Sequence, residues 1–146
     1  MNIRTMTIDD YHDVYALWLR TPGMGLNDVD DSHEGIHRYL RRNPTSCFVA
    51  EVHEHIVGVI LCGHDGRRGY INHLAMDPAY RRMGIASQLL QRAVTALEAE
   101  GIIKAALVVF AHNTSGNAFW ERQGFTIRTD IHYRNRTLAS HTRITP

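Results

Sequence analysis

Only two cysteines occur, Cys47 and Cys62, and their spacing fits no metal-ligand pattern. Free thiols, and with them a cytoplasmic setting, are the default reading of such a pair. No apolar run approaches the roughly 20 residues that cross a bilayer, so a membrane span is not expected. Met1 to Asp10 lacks both a basic flank and an apolar stretch, which speaks against a signal peptide. Charge of one sign is also missing. The formal net charge is +1, so no global field draws the chain to nucleic acid, and no basic stripe interleaved with aromatics stands out. Repeats, linkers and low-complexity segments are absent. With 146 residues to close a core, one domain over residues 1–146 is the expectation.

What is there reads as a globular chain. Hydrophobic residues make up 44% and charged residues 21%, outside the range of disordered sequences. Ten histidines mean that the net charge climbs as pH falls toward about 6. Asn2 to Met6 suggests a short strand. Asp9 can cap a helix with Val14, Leu17 and Trp18 as its apolar stripe. Thr21-Pro22-Gly23-Met24-Gly25 breaks it. Asp31 or Ser32 can cap a second helix with Ile36, Tyr39 and Leu40 inward, ending before Asn43-Pro44.

Strands follow at Cys47 to Val52 and Ile56 to Cys62. A two-residue turn at Glu54-His55 would set Cys47 opposite Cys62, and a one-residue slip would separate them. Both cysteines lie in apolar strands without an adjacent base, which suits core packing rather than nucleophilic attack. Asp65-Gly66 is a stronger turn signal and leads into Tyr70 to Met76. A long helix over about Gly84 to Glu100 buries Ala86, Leu89, Leu90, Ala93, Val94 and Leu97, and Gly101 stops it. Ile103 to Phe110 reads as a strand buried on both faces. Thr114 or Ser115 can cap a short helix to Gln123, and Phe125 to Arg136 reads as a final hairpin. The order is that of an α/β domain with a mixed sheet and helices on both faces.

One segment carries the functional inference: Leu74-Ala75-Met76-Asp77-Pro78-Ala79-Tyr80-Arg81-Arg82-Met83-Gly84-Ile85-Ala86. A strand ends, a loop with two arginines follows, and Gly84 and Ala86 sit where a helix opens. Amides at a helix start have no intrahelical acceptor, and the helix dipole adds positive potential there. Small side chains let an anion come close, so the segment has the character of a pyrophosphate cradle. A dinucleotide fold fits poorly, because its glycine fingerprint should follow the first strand.

Arg81-x-x-Gly84-x-Ala86 resembles the Gln/Arg-x-x-Gly-x-Gly/Ala signature of the GNAT N-acetyltransferases. Asn113, followed by Asn117-Ala118-Phe119-Trp120-Glu121-Arg122-Gln123-Gly124-Phe125, is similar to a second characteristic region of that family. The order of elements agrees from residue 2 to about 138. The resemblance implies a mostly antiparallel mixed sheet of six to seven strands with helices on both faces, its fourth and fifth strands splayed apart. It implies acetyl-CoA as acyl donor, with no metal. Amides around Leu74, Ala75 and Met76 would hold the acetyl carbonyl and pantetheine arm. Arg81, Arg82, Met83, Gly84, Ile85, Ala86 and Ser87 would hold the pyrophosphate, and Asn113 and Trp120 would line the donor site. The acceptor would be a small-molecule or peptide amine. A homodimer through a sheet edge or a helix is compatible with this architecture.

Two positions depart from the family pattern. Trp120 stands where a tyrosine often protonates the leaving thiolate, and Val108 stands near where some relatives place a glutamate base. Indole N–H is a hydrogen-bond donor but no usable proton source. The substitutes are His73, ranked first because its imidazole suits proton transfer near neutral pH, then Asn72 and Tyr70 on the same strand, His112, and Tyr133 in the last hairpin; proximity with an ordered water is a further route. Asn72 and His73 are expected on opposite faces of their strand. The Met76 amide is the expected oxyanion donor. The alternative is a noncatalytic module that binds or senses acyl-CoA, since donor binding needs only main-chain amides.

Overall fold

The computed structural model describes residues 1–146. It contains β1 (Asn2–Thr5), α1 (Tyr11–Leu19), α2 (His33–Arg42), β2 (Phe48–Val52), β3 (His55–His64), β4 (Gly69–Met76), α3 (Ile85–Ala99), β5 (Ala105–Ala106) and α4 (Thr114–Arg122). The five strands form one sheet in the order β1-β2-β3-β4-β5. The first three pairings are antiparallel and β4 with β5 is parallel. No helix is long and apolar enough to cross a membrane.

The sheet separates two apolar layers. On one face Val14, Leu17 and Trp18 of α1 and Ile36 and Leu40 of α2 close over Val49, Val59 and Leu61. On the other, Leu89, Leu90, Ala93 and Leu97 of α3 close over Ile60, Cys62 and Ile71, with Phe119 and Trp120 of α4 packed at the margin. These are the helical stripes that the apolar spacing indicated. Ser32 caps α2 by accepting from the Gly35 amide at 3.0 Å. Asp9 does not cap α1; the Asp10 side chain instead accepts from the Thr7 amide in the 3-10 turn that leads into the helix.

The β2–β3 turn occupies His53 and Glu54, both with positive φ, one residue earlier than expected. A bulge between Ala50 and Glu51 then shifts the pairing by a further residue, so that Phe48 pairs with Ile60. Because side chains alternate along a strand, that bulge sends Cys47 and Cys62 to opposite apolar layers. Both stay as free, buried thiols. Burial pushes each up to about 12, which removes them as nucleophiles at neutral pH.

The distal edge differs from expectation more strongly. Five strands form rather than six to seven. Ile103 to Phe110 is not a strand buried on both faces: only Ala105–Ala106 pairs, while Ile103 is 83% and Val108 58% exposed. Residues 125–136 form no hairpin. With β5 paired over two residues, the next segment has no edge to extend along, and Ile127, Ile131 and Tyr133 stay exposed. Farther on, Arg143 bridges Asn27, and the Ile144 amide donates to the Leu26 carbonyl at 2.8 Å. Residues 142–146 are thereby fastened to the loop between α1 and α2.

Candidate active site

The site grows from two irregularities of β4. The first is its outer edge. β4 pairs with β5 only at Gly69 and Tyr70, so from Ile71 to Met76 that edge has no strand partner. The Asp77 amide donates to the Val57 carbonyl of β3 at 2.8 Å. Successive amides along a strand point to alternate sides. The amides of Met76 and Leu74 therefore face the open edge, where the two strands have diverged as expected.

The second irregularity is a bulge. Val59 pairs with Ala75 and Leu61 with Asn72, so β4 carries one extra residue across this step. His73 takes that position with φ of 44°. Ile71, Leu74 and Met76 pack in the α3 layer and Ala75 in the α1–α2 layer. Asn72 and His73 both turn to the α1–α2 layer, not to opposite faces as strict alternation requires. Asn72 Nδ2 donates to the Tyr39 hydroxyl at 3.4 Å, and His73 Nε2 lies 2.7 Å from Asp31 Oδ1. Positive φ in a non-glycine residue costs on the order of 1–3 kcal/mol and concentrates at functional positions.

Asp31, a candidate cap for α2 from its sequence position, does not cap it; Ser32 does. Asp31 is only 3% exposed. Its Oδ2 accepts from the Asn27 amide at 2.9 Å, and its carbonyl accepts from the Tyr11 hydroxyl at 2.6 Å. Trp18 meets the His73 ring edge-on, with centroids 5.0 Å apart. Trp18 Nε1 is buried without a hydrogen-bond partner. No local signal links residue 31 to residue 73; the bulge brings them together.

Directly after β4 comes the loop that ends in α3. Arg81, Arg82, Met83 and Gly84 are exposed, Ile85 is buried, and Ala86 and Ser87 are half-buried. No amide from Arg82 to Ser87 donates to a protein acceptor; the first to do so is Gln88, to the Gly84 carbonyl. Gly84 is the N-cap of α3 with φ of 76°, and nothing lies within 4 Å of where a Cβ would stand. Open main-chain donors, a positive helix end and two arginines without acidic partners fit a diphosphate.

Ser87 is joined to α4 by the Gln123 side chain, whose Nε2 donates to Ser87 Oγ at 3.0 Å. Asn113 caps α4, its Oδ1 accepting from the Gly116 amide at 3.0 Å. Trp120 packs edge-on against Phe119 and Phe125. Tyr133 is 69% exposed on an irregular segment. Burial raises Tyr70, with a smaller push from nearby Tyr133. The structure thus unites residues 74–87 and links them to α4, while Tyr133 stays peripheral. A cleft of about 530 Å³ lies between the α1–α2 loop and the chain end, lined by Leu19, Thr21, Phe110, His112, Arg143 and Thr145 among others.

Both the sequence and the fold have counterparts among known proteins. The sequence profile of the Acetyltransferase (GNAT) family matches residues 11–125. An acetyltransferase of Sodalis glossinidius is 34% identical over 131 residues, covering 90% of this chain and 91% of the relative. One from Photorhabdus laumondii is 38% identical over 109 residues, covering 75% of each. Among solved structures, Ard1 of Thermoplasma volcanium superposes with a TM-score of 0.77 at 23% identity, covering 87% of this chain and 83% of that one. The PaiA N-acetyltransferase of Thermoplasma acidophilum, in complex with coenzyme A, gives 0.75 at 19% identity, covering 87% and 90%.

The chain belongs to the GNAT acetyltransferase family. It is an acetyl-CoA-dependent N-acetyltransferase, with acetyl-CoA as its acyl donor.

Proposed function

We propose that residues 1–146 act as one domain that passes the acetyl group directly to a primary amine of a small molecule or peptide, in a cytoplasmic setting. The observation that supports this most is the run of unpartnered amides from Arg82 to Ser87 around the open Gly84, directly after the splayed end of β4. Those amides would hold the diphosphate, with Arg81 and Arg82 adding charge. The outward amides of Leu74 and Met76, flanking Ala75, would hold the pantetheine arm and the thioester. Asn113 keeps its Nδ2 for the donor, and Trp120 forms an apolar wall.

Acetyl-CoA supplies an activated thioester when bound. The protein then has three tasks. His73 takes the proton of the acceptor ammonium, directly or through a water, so that the free amine can attack the carbonyl carbon. The Met76 amide meets the oxygen on which negative charge develops. The cleft between the α1–α2 loop and residues 143–146 admits the acceptor. Tyr133 is the second proton-handling candidate. No covalent enzyme intermediate is needed, consistent with two buried, unreactive thiols.

Thiol release from acetyl-CoA, followed against a panel of primary amines, tests this reading. Turnover on at least one amine supports it. Donor binding without turnover on any amine favours the noncatalytic module. His73→Ala should lower turnover by about 10²–10⁴-fold, the usual contribution of a general base. Coenzyme A affinity should stay within about twofold, because the diphosphate amides are untouched. Full turnover in that variant removes His73 from the mechanism.

A further inference from the structure

Resting on the reading of His73 as the base, we infer that Asp31 is the residue that makes it one. Asp31 positions the imidazole, fixes its tautomer and stabilises the cation it becomes. Asp31 Oδ1 sits 2.7 Å from His73 Nε2. A carboxylate offers only acceptors, so Nε2 must carry the hydrogen, and Nδ1 is left as the basic nitrogen. When an acceptor ammonium gives up a proton, its N–H bonding pair stays on the amine and the proton joins Nδ1. The imidazolium then faces a carboxylate at hydrogen-bond distance. The proton returns to solvent or to the departing thiolate in the second half of the reaction.

The surroundings suit this role. Asp31 has no arginine or lysine partner; its other contact is the neutral Asn27 amide. The carboxylate is therefore matched to the imidazole rather than to a permanent cation. Fully buried Trp18 shields the pair on the α1 side. A charge pair held away from water interacts more strongly than an exposed one. The titratable groups around His73 are few. The α1–α2 loop presents Asp31, and α1 presents Tyr11, whose hydroxyl bonds the Asp31 carbonyl. Helix α2 presents Tyr39, which bonds the adjacent Asn72, and β3 presents the apolar Val59 and Leu61 beside the bulge. Asp31 is thus the one carboxylate in contact with the ring.

The test compares Asp31→Asn, His73→Ala and the double variant by pH–rate profile, with coenzyme A affinity measured in parallel. The amide oxygen introduced by Asp31→Asn can still accept from Nε2 but carries no charge. In the parent the His73 ring should carry its hydrogen on Nε2 alone, and in Asp31→Asn nitrogen chemical shifts should show that single tautomer lost, since an amide can donate to the ring as well as accept from it. The plateau should fall at least tenfold while coenzyme A affinity holds. The double variant should be no slower than His73→Ala alone, because Asp31 acts through His73. A tautomer unchanged by Asp31→Asn, or additive losses, overturns the positioning role while leaving His73 as base. Full turnover in His73→Ala overturns the underlying reading instead. If Asp31→Asn does not fold, nitrogen chemical shifts of the His73 ring in the unaltered protein decide the matter. A protonated Nε2 is expected, and an unprotonated Nε2 refutes the proposal.

Discussion

Replacing Gly84 separates the conformational task of this residue from its part in anion binding. Gly84 holds φ of 76°, and a Cβ built there meets no protein atom within 4 Å. The folded state therefore loses only the left-handed backbone penalty, about 1–2 kcal/mol. For a domain of this size that lowers Tm by several degrees, roughly 3–8 °C. Binding should suffer far more. A hydrogen bond to a charged partner contributes about 1.5–3 kcal/mol. Forcing one such bond apart weakens affinity by roughly 10- to 150-fold. Gly84→Ala should stay near the lower end, since one methyl group obstructs a few amides only. Gly84→Glu adds repulsion between a carboxylate and the diphosphate and should exceed 100-fold, about 2.7 kcal/mol. Calorimetric titration with coenzyme A, alongside thermal melts, reads both quantities. A folded Gly84→Glu protein that binds coenzyme A within twofold of the parent refutes the cradle.

Other expectations concern stability. The β2–β3 turn holds His53 and Glu54 at positive φ, where Asn-Gly is strongly preferred. His53→Asn with Glu54→Gly should stabilise the protein by roughly 1 kcal/mol in denaturant titrations; a loss of stability would contradict the turn assignment. Asp10 gives a pH signature. Burial alone would raise its carboxyl, but the Arg4 guanidinium, at 2.7 Å, and the Thr7 amide together hold it below the usual range. Its contribution is therefore complete above the unfolded value near 3.9 and is lost as pH falls through the lower folded value. Asp10→Asn should cost roughly 1 kcal/mol at pH 7, the upper end for a solvent-screened pair. In melts from pH 7 down to pH 2 the gap to the parent should close as acid is added; a gap that holds constant refutes the linkage.

The parts legible in the sequence were those whose cause is local. Gly84 and Ala86 mark an open helix start by their own smallness, and the α3 stripe is set by spacing within one helix. Features that depend on pairing were not legible. The shift that parts Cys47 from Cys62 arises at a bulge between Ala50 and Glu51, which exists only in relation to β3. The bulge at His73 exists only in relation to β3, so no pattern within 69–76 announces it. Asp31 reads from its sequence position as a helix cap, and nothing local marks it as the partner of a histidine 42 residues away. Ile103 to Phe110 has the apolar run of a buried strand, yet burial requires a neighbour on its outer edge, and residues 125–136 do not provide one.

The central claim is that main-chain donors at residues 82–87, and those of Leu74 and Met76, receive the acyl donor. Amide proton–nitrogen spectra recorded while coenzyme A is titrated into the labelled protein address each donor individually. Saturable downfield shifts concentrated in Arg82 to Ser87 and in Leu74 and Met76, with one common affinity, are the predicted result. Shifts that cluster elsewhere while these amides stay unmoved at saturation would contradict the account.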